Sequence, residues 1–107
     1  MDNYLIRWLQ DWYANQCDGD WEHEHGVKIN TLDNPGWDIN IDIINTGFKK
    51  DLPWKHFEIA DNNWFGYKIE NGYFNASGDP AKLEFLIQVF KDFIDHGEGA
   101  LPNKQTD

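Results

Sequence analysis

Residues 63–77, NWFGYKIENGYFNAS, decide the fold of this chain. Asn71-Gly72 divides the stretch in two, and both residues tolerate the positive φ angles that a two-residue hairpin turn requires. Before the turn, every second residue is large and apolar, which is the alternation of a half-buried strand. The stretch therefore predicts two antiparallel strands, over residues 63–70 and 73–77.

A second hairpin is predicted upstream. Residues 22–31 and 37–44 alternate in the same way, with their large apolar side chains on one side. Residues 32–36, LDNPG, form the turn between them, because Pro35 presets φ and Gly36 tolerates a positive φ. The acidic stretch before this hairpin is interpreted as a loop that leads into its first strand.

The chain between the two hairpins supplies one more strand. Residues 45–53 form a connection, and residues 54–60 form a short strand with Phe57 and Ile59 facing inward. If each strand lies beside the next one in the chain, the five strands form an antiparallel meander.

Helices are predicted at both ends of the chain. Apolar residues recur at helical spacing over residues 4–14. At the start of the second helix, Asp79 is the expected N-cap and Pro80 the first helical residue, and Gly97 is the expected C′ residue. Each helix has one apolar stripe, so both are expected on one face of the sheet, with the other face open to solvent.

The predicted fold is therefore α+β: an antiparallel meander sheet of about five strands, with an N-terminal and a C-terminal helix on one face. Residues 1–97 form a single domain, and residues 98–107 form a polar C-terminal tail. The core is expected to join both helices to four strands. Its predicted members are Leu5, Trp8, Trp12, Ile39, Ile41, Phe57, Phe65, Ile69, Leu83, Phe90 and Phe93.

The charge of the chain limits the partners it can bind. Its 19 acidic and 9 basic side chains give a formal net charge of -10. Nucleic acid and anionic membranes are poor partners for such a chain, whereas a protein with a basic contact surface suits it. Cys17 is the single cysteine, and the first residues do not resemble a signal peptide, so a cytoplasmic location is expected.

Residues 17–25, CDGDWEHEH, are the candidate for metal chemistry. A calcium loop counted from Asp18 would need Gly and Glu where the chain has His23 and Ile29. Cys17 and the two nearby histidines could bind zinc, but no second cluster supports them, and the acidic surroundings disfavour a reactive thiolate. We expect no cofactor, metal or catalytic residue; the alternative is a small metal- or ligand-binding domain, or minor enzyme, that uses this segment.

Two surfaces are candidates for binding a partner protein. The first is the predicted open side of the sheet, where aromatic side chains alternate away from the core among charged ones. Its residues are Asp38, Asp42, Trp54, His56, Glu58, Trp64 and Tyr73. The second is the acidic loop, with Asp18, Asp20, Glu22 and Glu24. The polar tail or the connection at residues 45–53 could instead cover the aromatic side chains.

Two segments resemble the immunity 53 family of bacterial polymorphic toxin systems. Residues 8–37, WLQDWYANQCDGDWEHEHGVKINTLDNPGW, carry the more specific match, and residues 62–90 are similar to the second half of the family. The resemblance implies a small cytosolic protein, encoded next to a toxin, that protects the producing cell by binding that toxin. It implies inhibition and not turnover, so it assigns no catalytic residues.

Overall fold

The Asn71-Gly72 turn forms the hairpin that the sequence predicts. In the computed structural model, which describes residues 4–44 and 51–97, both turn residues have positive φ angles, 54° and 84°. Glu70 pairs with Tyr73 across the turn. The two positive φ angles match the right-handed twist of the flanking strands, and the hairpin register follows from this turn.

Five strands and three helices make up the described parts of the chain. The strands are β1 (Val27–Leu32), β2 (Gly36–Asp42), β3 (Leu52–Ala60), β4 (Asn63–Glu70) and β5 (Tyr73–Gly78). The helices are α1 (Tyr4–Gln16), α2 (Trp21–Glu24) and α3 (Leu83–His96). None of these helices is both long and apolar enough to cross a membrane. The α+β class and the five antiparallel strands are confirmed.

The order of the strands differs from the predicted meander. It is β1-β2-β5-β4-β3, with all neighbours antiparallel, so β5 and not β3 lies beside β2. Ile39 and Ile41 of β2 are completely buried, and a central position gives this strand a partner on both edges. Nine residues separate β2 from β3, which is more than a hairpin turn needs. Residues 45–50 of the predicted connection lie outside the described residues, as does the predicted tail at 98–107.

Helices α1 and α3 pack on the same face of the sheet, as predicted. Phe90 joins them to each other and to the sheet: its ring centroid lies 5.0 Å from that of Trp12 in α1 and 5.1 Å from that of Phe74 in β5. Most predicted core residues are buried, whereas Trp8 and Leu83 are partly buried against the core. The core therefore lies on this face of the sheet.

Three local predictions are wrong. Residues 21–24 form a helical turn and not a loop or strand, and β1 begins only at Val27. Ile59 is exposed because a register irregularity near the end of β3 interrupts the alternation of its side chains. Helix α3 begins at Leu83, because residues 79–82 first form a turn in which the backbone N–H of Lys82 donates to the carbonyl of Asp79. The predicted end is correct: Gly97 has a φ of 83° and donates to the Phe93 carbonyl.

Candidate protein-binding surface

The side chains that point away from the helices form a surface that we call the open face. Cross-strand partners share a face, and Glu58 pairs with Trp64 while Asp42 pairs with Tyr73. These residues alternate with buried core residues along their strands. All seven residues predicted for this face lie on it: Asp38, Asp42, Trp54, His56, Glu58, Trp64 and Tyr73.

Three rings form a row across β3 and β4 on the open face. The His56 ring lies between two indoles, with its centroid 6.4 Å from that of Trp54 and 5.9 Å from that of Trp64. The His56 and Trp64 planes differ by only 27°, so these two rings are stacked. Trp54 remains 45% exposed. This aromatic row presents preformed apolar area to solvent, as the centres of protein interfaces do.

Two glycines let the indoles lie close to the sheet. A Cβ at Gly66 would overlap the Trp54 ring and would lie 2.8 Å from the Lys55 carbonyl oxygen. A Cβ at Gly36 would overlap the Gly78 carbonyl oxygen and would also lie 3.3 Å from the Trp64 ring. The aromatic row therefore depends on strand positions that lack a side chain.

Polar side chains fill the part of the open face over β2 and β5. The carboxylate of Asp38 accepts hydrogen bonds from Ser77 Oγ at 2.7 Å, Asn75 Nδ2 at 3.0 Å and Asn40 Nδ2 at 2.8 Å. Asn75 Nδ2 also donates to Asn40 Oδ1 at 3.0 Å. We call these four half-buried residues the amide cluster. Only Asp38 was singled out from the sequence, although strand alternation places the other three on the same face.

Asp42 is held by the backbone and is less available to a partner. Its Oδ2 accepts the N–H of Gly26 at 2.8 Å and lies 3.6 Å from His25 Nδ1. The bond from Gly26 fixes the chain at its entry to β1. Of the predicted carboxylates on this face, Glu58 is more accessible: it is 55% exposed and lies 3.2 Å from His56 Nε2.

The acidic loop uses two of its carboxylates to hold its own backbone. Asp18 Oδ1 accepts the N–H groups of Asp20 and Trp21, both at 2.9 Å, and these bonds keep the pKa of Asp18 below its ordinary value. The Glu22 carboxylate in return accepts the N–H groups of Asp18 and Gly19 at 2.9 Å. This reciprocal arrangement resembles a capping box and starts α2, which buries Trp21 against the core.

The other polar groups of this loop do not converge on a metal site. Cys17 Sγ donates to the Tyr13 carbonyl at 3.4 Å, and Asp20 and Glu24 are exposed. A polar hollow of about 550 Å³ lies between the end of α1 and the loop. Across residues 4–44 and 51–97, no three His, Cys, Asp or Glu side chains are grouped so that they could hold a metal ion.

The chain was compared with models of known protein families. A family model described as Immunity protein 53 matches residues 6–95. The chain belongs to the immunity protein 53 family. The match extends over all five strands and the acidic loop, so both candidate surfaces lie inside the family's domain. Searches of curated proteins and of solved structures gave no significant match.

In this member of the immunity protein 53 family, Asp79 positions the aromatic row. It is 1% exposed, and its carboxylate accepts from the backbone N–H of Trp64 at 3.0 Å, the N–H of Ala81 at 2.8 Å and Lys82 Nζ at 2.7 Å. Burial alone would raise its pKa, but these hydrogen bonds outweigh burial and hold the pKa below its ordinary value. The sequence predicted Asp79 as a helix N-cap instead, because Asp-Pro before an apolar stripe is also typical of the start of a helix.

Proposed function

We propose that this chain is an immunity protein that binds a cognate bacterial toxin and neutralises it by protein–protein interaction, without catalysing a reaction. The observation that carries the proposal is membership of the immunity protein 53 family over residues 6–95. The family's description names an immunity protein, and immunity in this sense requires a toxin to be neutralised. The toxin is proposed to have a basic contact surface, which suits the net charge of -10.

The open face is the proposed contact surface, in preference to the acidic loop. The aromatic row concentrates exposed apolar area on rigid strands, and Trp and Tyr are the side chains in which binding energy concentrates. In the acidic loop, by contrast, the carboxylates of Asp18 and Glu22 are occupied by backbone N–H groups. Glu22 and Glu24 belong to α2, so they do not extend the sheet surface.

Partner binding on this face would bury the aromatic row and leave the charged residues at its edge. Glu58 and Glu70 then lie at the rim, where charges set the rate of encounter more than the affinity. We propose that the open face neutralises the toxin by covering a basic surface that the toxin needs for its activity.

Replacement of one indole tests the proposal. With the toxin encoded beside this chain, in an inactivated form, Trp54→Ala should weaken binding about 30-fold, as expected when an interface anchor is truncated. Growth protection against the active toxin should fall in parallel. Ile6→Ala is the control, because Ile6 is also an exposed large apolar residue but lies on α1, on the helix side of the sheet. Equal affinity for both variants and the parent would exclude the open face.

The alternative function uses residues 17–25 as a metal or ligand site. Elemental analysis after gentle purification discriminates the two functions, since stoichiometric zinc lost in Cys17→Ser together with toxin binding would favour the alternative.

A further inference from the structure

Most hydrogen-bond donors of the amide cluster point at its own acceptors, and the cluster retains the negative charge of Asp38. Ser77 Oγ donates to Asp38, and the side-chain nitrogen of Asn75 lies within hydrogen-bond distance of Asp38, Asn40 and the Ile39 carbonyl. A carboxylate offers about four acceptor positions, and three donors reach Asp38. Among the described residues, one acceptor position of Asp38 therefore remains for a donor from solvent or from a partner.

Two lysines of the open face lie beside the amide cluster, Lys28 opposite Asn40 and Lys68 opposite Asn75, but neither forms an ion pair with Asp38. Within residues 4–44 and 51–97, no lysine, arginine or histidine nitrogen forms an ion pair with this carboxylate. Lys68 lines the hollow of about 360 Å³ that adjoins Asn40 and Asn75, but its Nζ is paired with Glu70 Oε1 at 2.9 Å. A partner that covers Asp38 would leave its carboxylate buried and unpaired unless the partner supplies a cation.

Aromatic side chains border the cluster at both ends. The Trp64 ring lies over Gly36, which is two residues from Asp38 on the same face of β2, a step of about 7 Å along a strand. Tyr73 lies two residues from Asn75 on β5 and is 51% exposed. A planar cation that binds Asp38 can therefore also stack on an aromatic ring.

We propose that the amide cluster is the receptor for an arginine side chain of the toxin. A guanidinium carries five donors and no acceptor, which is the complement of a cluster that offers acceptors and one negative charge. Its planar face stacks on aromatic rings, whereas a lysine ammonium acts as a point charge. This inference rests on the proposed toxin-binding function and adds to it the chemistry of one contact.

Calorimetric titration with the inactivated toxin encoded beside this chain tests the proposal. Asp38→Asn keeps the shape of the side chain and removes its charge, and it should weaken binding at least about 30-fold. Asp92→Asn is the matched control: Asp92 is another half-buried carboxylate bound to a side-chain amide, Gln88 Nε2 at 2.9 Å, but it lies on α3 and should leave affinity unchanged. Urea unfolding of each variant separates loss of binding from loss of fold.

A second variant keeps the test decisive if Asp38→Asn fails to fold. Asn40→Lys places an ammonium beside Asp38 within the chain itself, and it should weaken binding to a similar extent by occupying the receptor. On the toxin, each arginine is changed to glutamine in turn; one of these changes should weaken binding to the parent but not to Asp38→Asn.

Three results would overturn the proposal. The first is Asp38→Asn or Asn40→Lys that folds and binds within about threefold of the parent. The second is coupling of Asp38 to a toxin lysine and to no toxin arginine. The third is a parent chain that does not bind the toxin at all, which would refute the proposed function as well; in the first two cases that function stands.

Discussion

At the scale of single residues, the open face depends on some positions whose role cannot be predicted from the sequence. Strand alternation is enough to place Trp54, Trp64 and Asp38 on this face, because period-two patterns are read directly from the chain. The same pattern could not reveal that Gly66 makes room for Trp54, or that Asp79 binds the backbone of Trp64. Both features depend on cross-strand neighbours, and these follow only from the register of the sheet.

Gly66→Ala should displace Trp54 and disturb the aromatic row. The new Cβ would overlap the indole and lie 2.8 Å from the Lys55 carbonyl oxygen, so the neighbouring strand must shift. We expect a loss of roughly 1–3 kcal/mol in the free energy of unfolding, as for overpacked sites. Gly26→Ala is the control, because a Cβ there meets no atom within 4 Å. Equal stabilities of the two variants in urea would mean that the indole does not lie on Gly66.

Asp79→Ala should destabilise the chain by about 3 kcal/mol at neutral pH, because it leaves the Trp64 N–H without its acceptor and removes the carboxylate that pairs with Lys82, whose Nζ then keeps only Asn63 Oδ1. The folded-state pKa of Asp79 is below its ordinary value, so its stabilisation is complete above the unfolded pKa of about 3.9. That stabilisation is lost as pH falls through the lower folded pKa.

The pH dependence gives the check on Asp79. Urea unfolding should show a constant gap between parent and Asp79→Ala from pH 7 to about pH 5, and a gap that narrows in more acidic solution. Asp33→Ala, in the exposed turn between β1 and β2, should change stability by less than about 0.5 kcal/mol. A gap that widens on acidification would contradict the depressed pKa.

At the scale of elements, the strongest local signals were correct and the pairing of distant strands was not predictable. Asn71-Gly72 and the stripe of α3 are local patterns, and each corresponds to an observed element. The pairing of β2 with β5 joins residues more than thirty positions apart, such as Ile39 and Ala76, and no turn residue specifies it. Helix α2 was missed because its four residues are too few to show an apolar period, and its start depends on the Asp18 carboxylate that accepts the N–H of Trp21.

Phe90→Ala tests the packing of the helices on the sheet. Phe90 is fully buried between α1 and β5, so its loss should cost roughly 3–5 kcal/mol of unfolding free energy. Phe85→Ala, on the same helix but 37% exposed, should cost clearly less. The two variants are compared by urea denaturation; a cost below about 1 kcal/mol for Phe90→Ala would show that the stripe is not the core.

At the scale of the whole molecule, the negative charge is spread over the surface. Among the described residues, the open face carries four carboxylates and two lysines, a net charge of -2, whereas the whole chain has -10. These six residues are Asp38, Asp42, Glu58, Glu70, Lys28 and Lys68. Long-range attraction of a basic toxin therefore comes from the whole chain, whereas the open face supplies the orientation of the contact.

Glu58→Lys should slow association with the toxin more than Glu84→Lys does. Both changes reverse one exposed charge, but Glu58 lies at the rim of the open face and Glu84 lies on α3. Glu58 is a better test than Asp42, whose carboxylate also holds Gly26. Stopped-flow association rates at two salt concentrations provide the measurement, and the difference should shrink at high salt. Equal rates for both variants at low salt would leave Glu58 outside the encounter surface.

The six tryptophans allow the central claim to be tested without a substitution. The measurement is a ¹⁵N–¹H spectrum of their indole N–H groups in the parent chain, recorded while the inactivated toxin is added. The indole signals of Trp54 and Trp64 should shift or broaden, because the open face is the proposed contact. The signals of Trp12 in α1 and Trp21 in α2, which are both buried in the core, should stay in place. Shifts at Trp21 with Trp54 and Trp64 unchanged would place the toxin on the acidic loop and contradict the account.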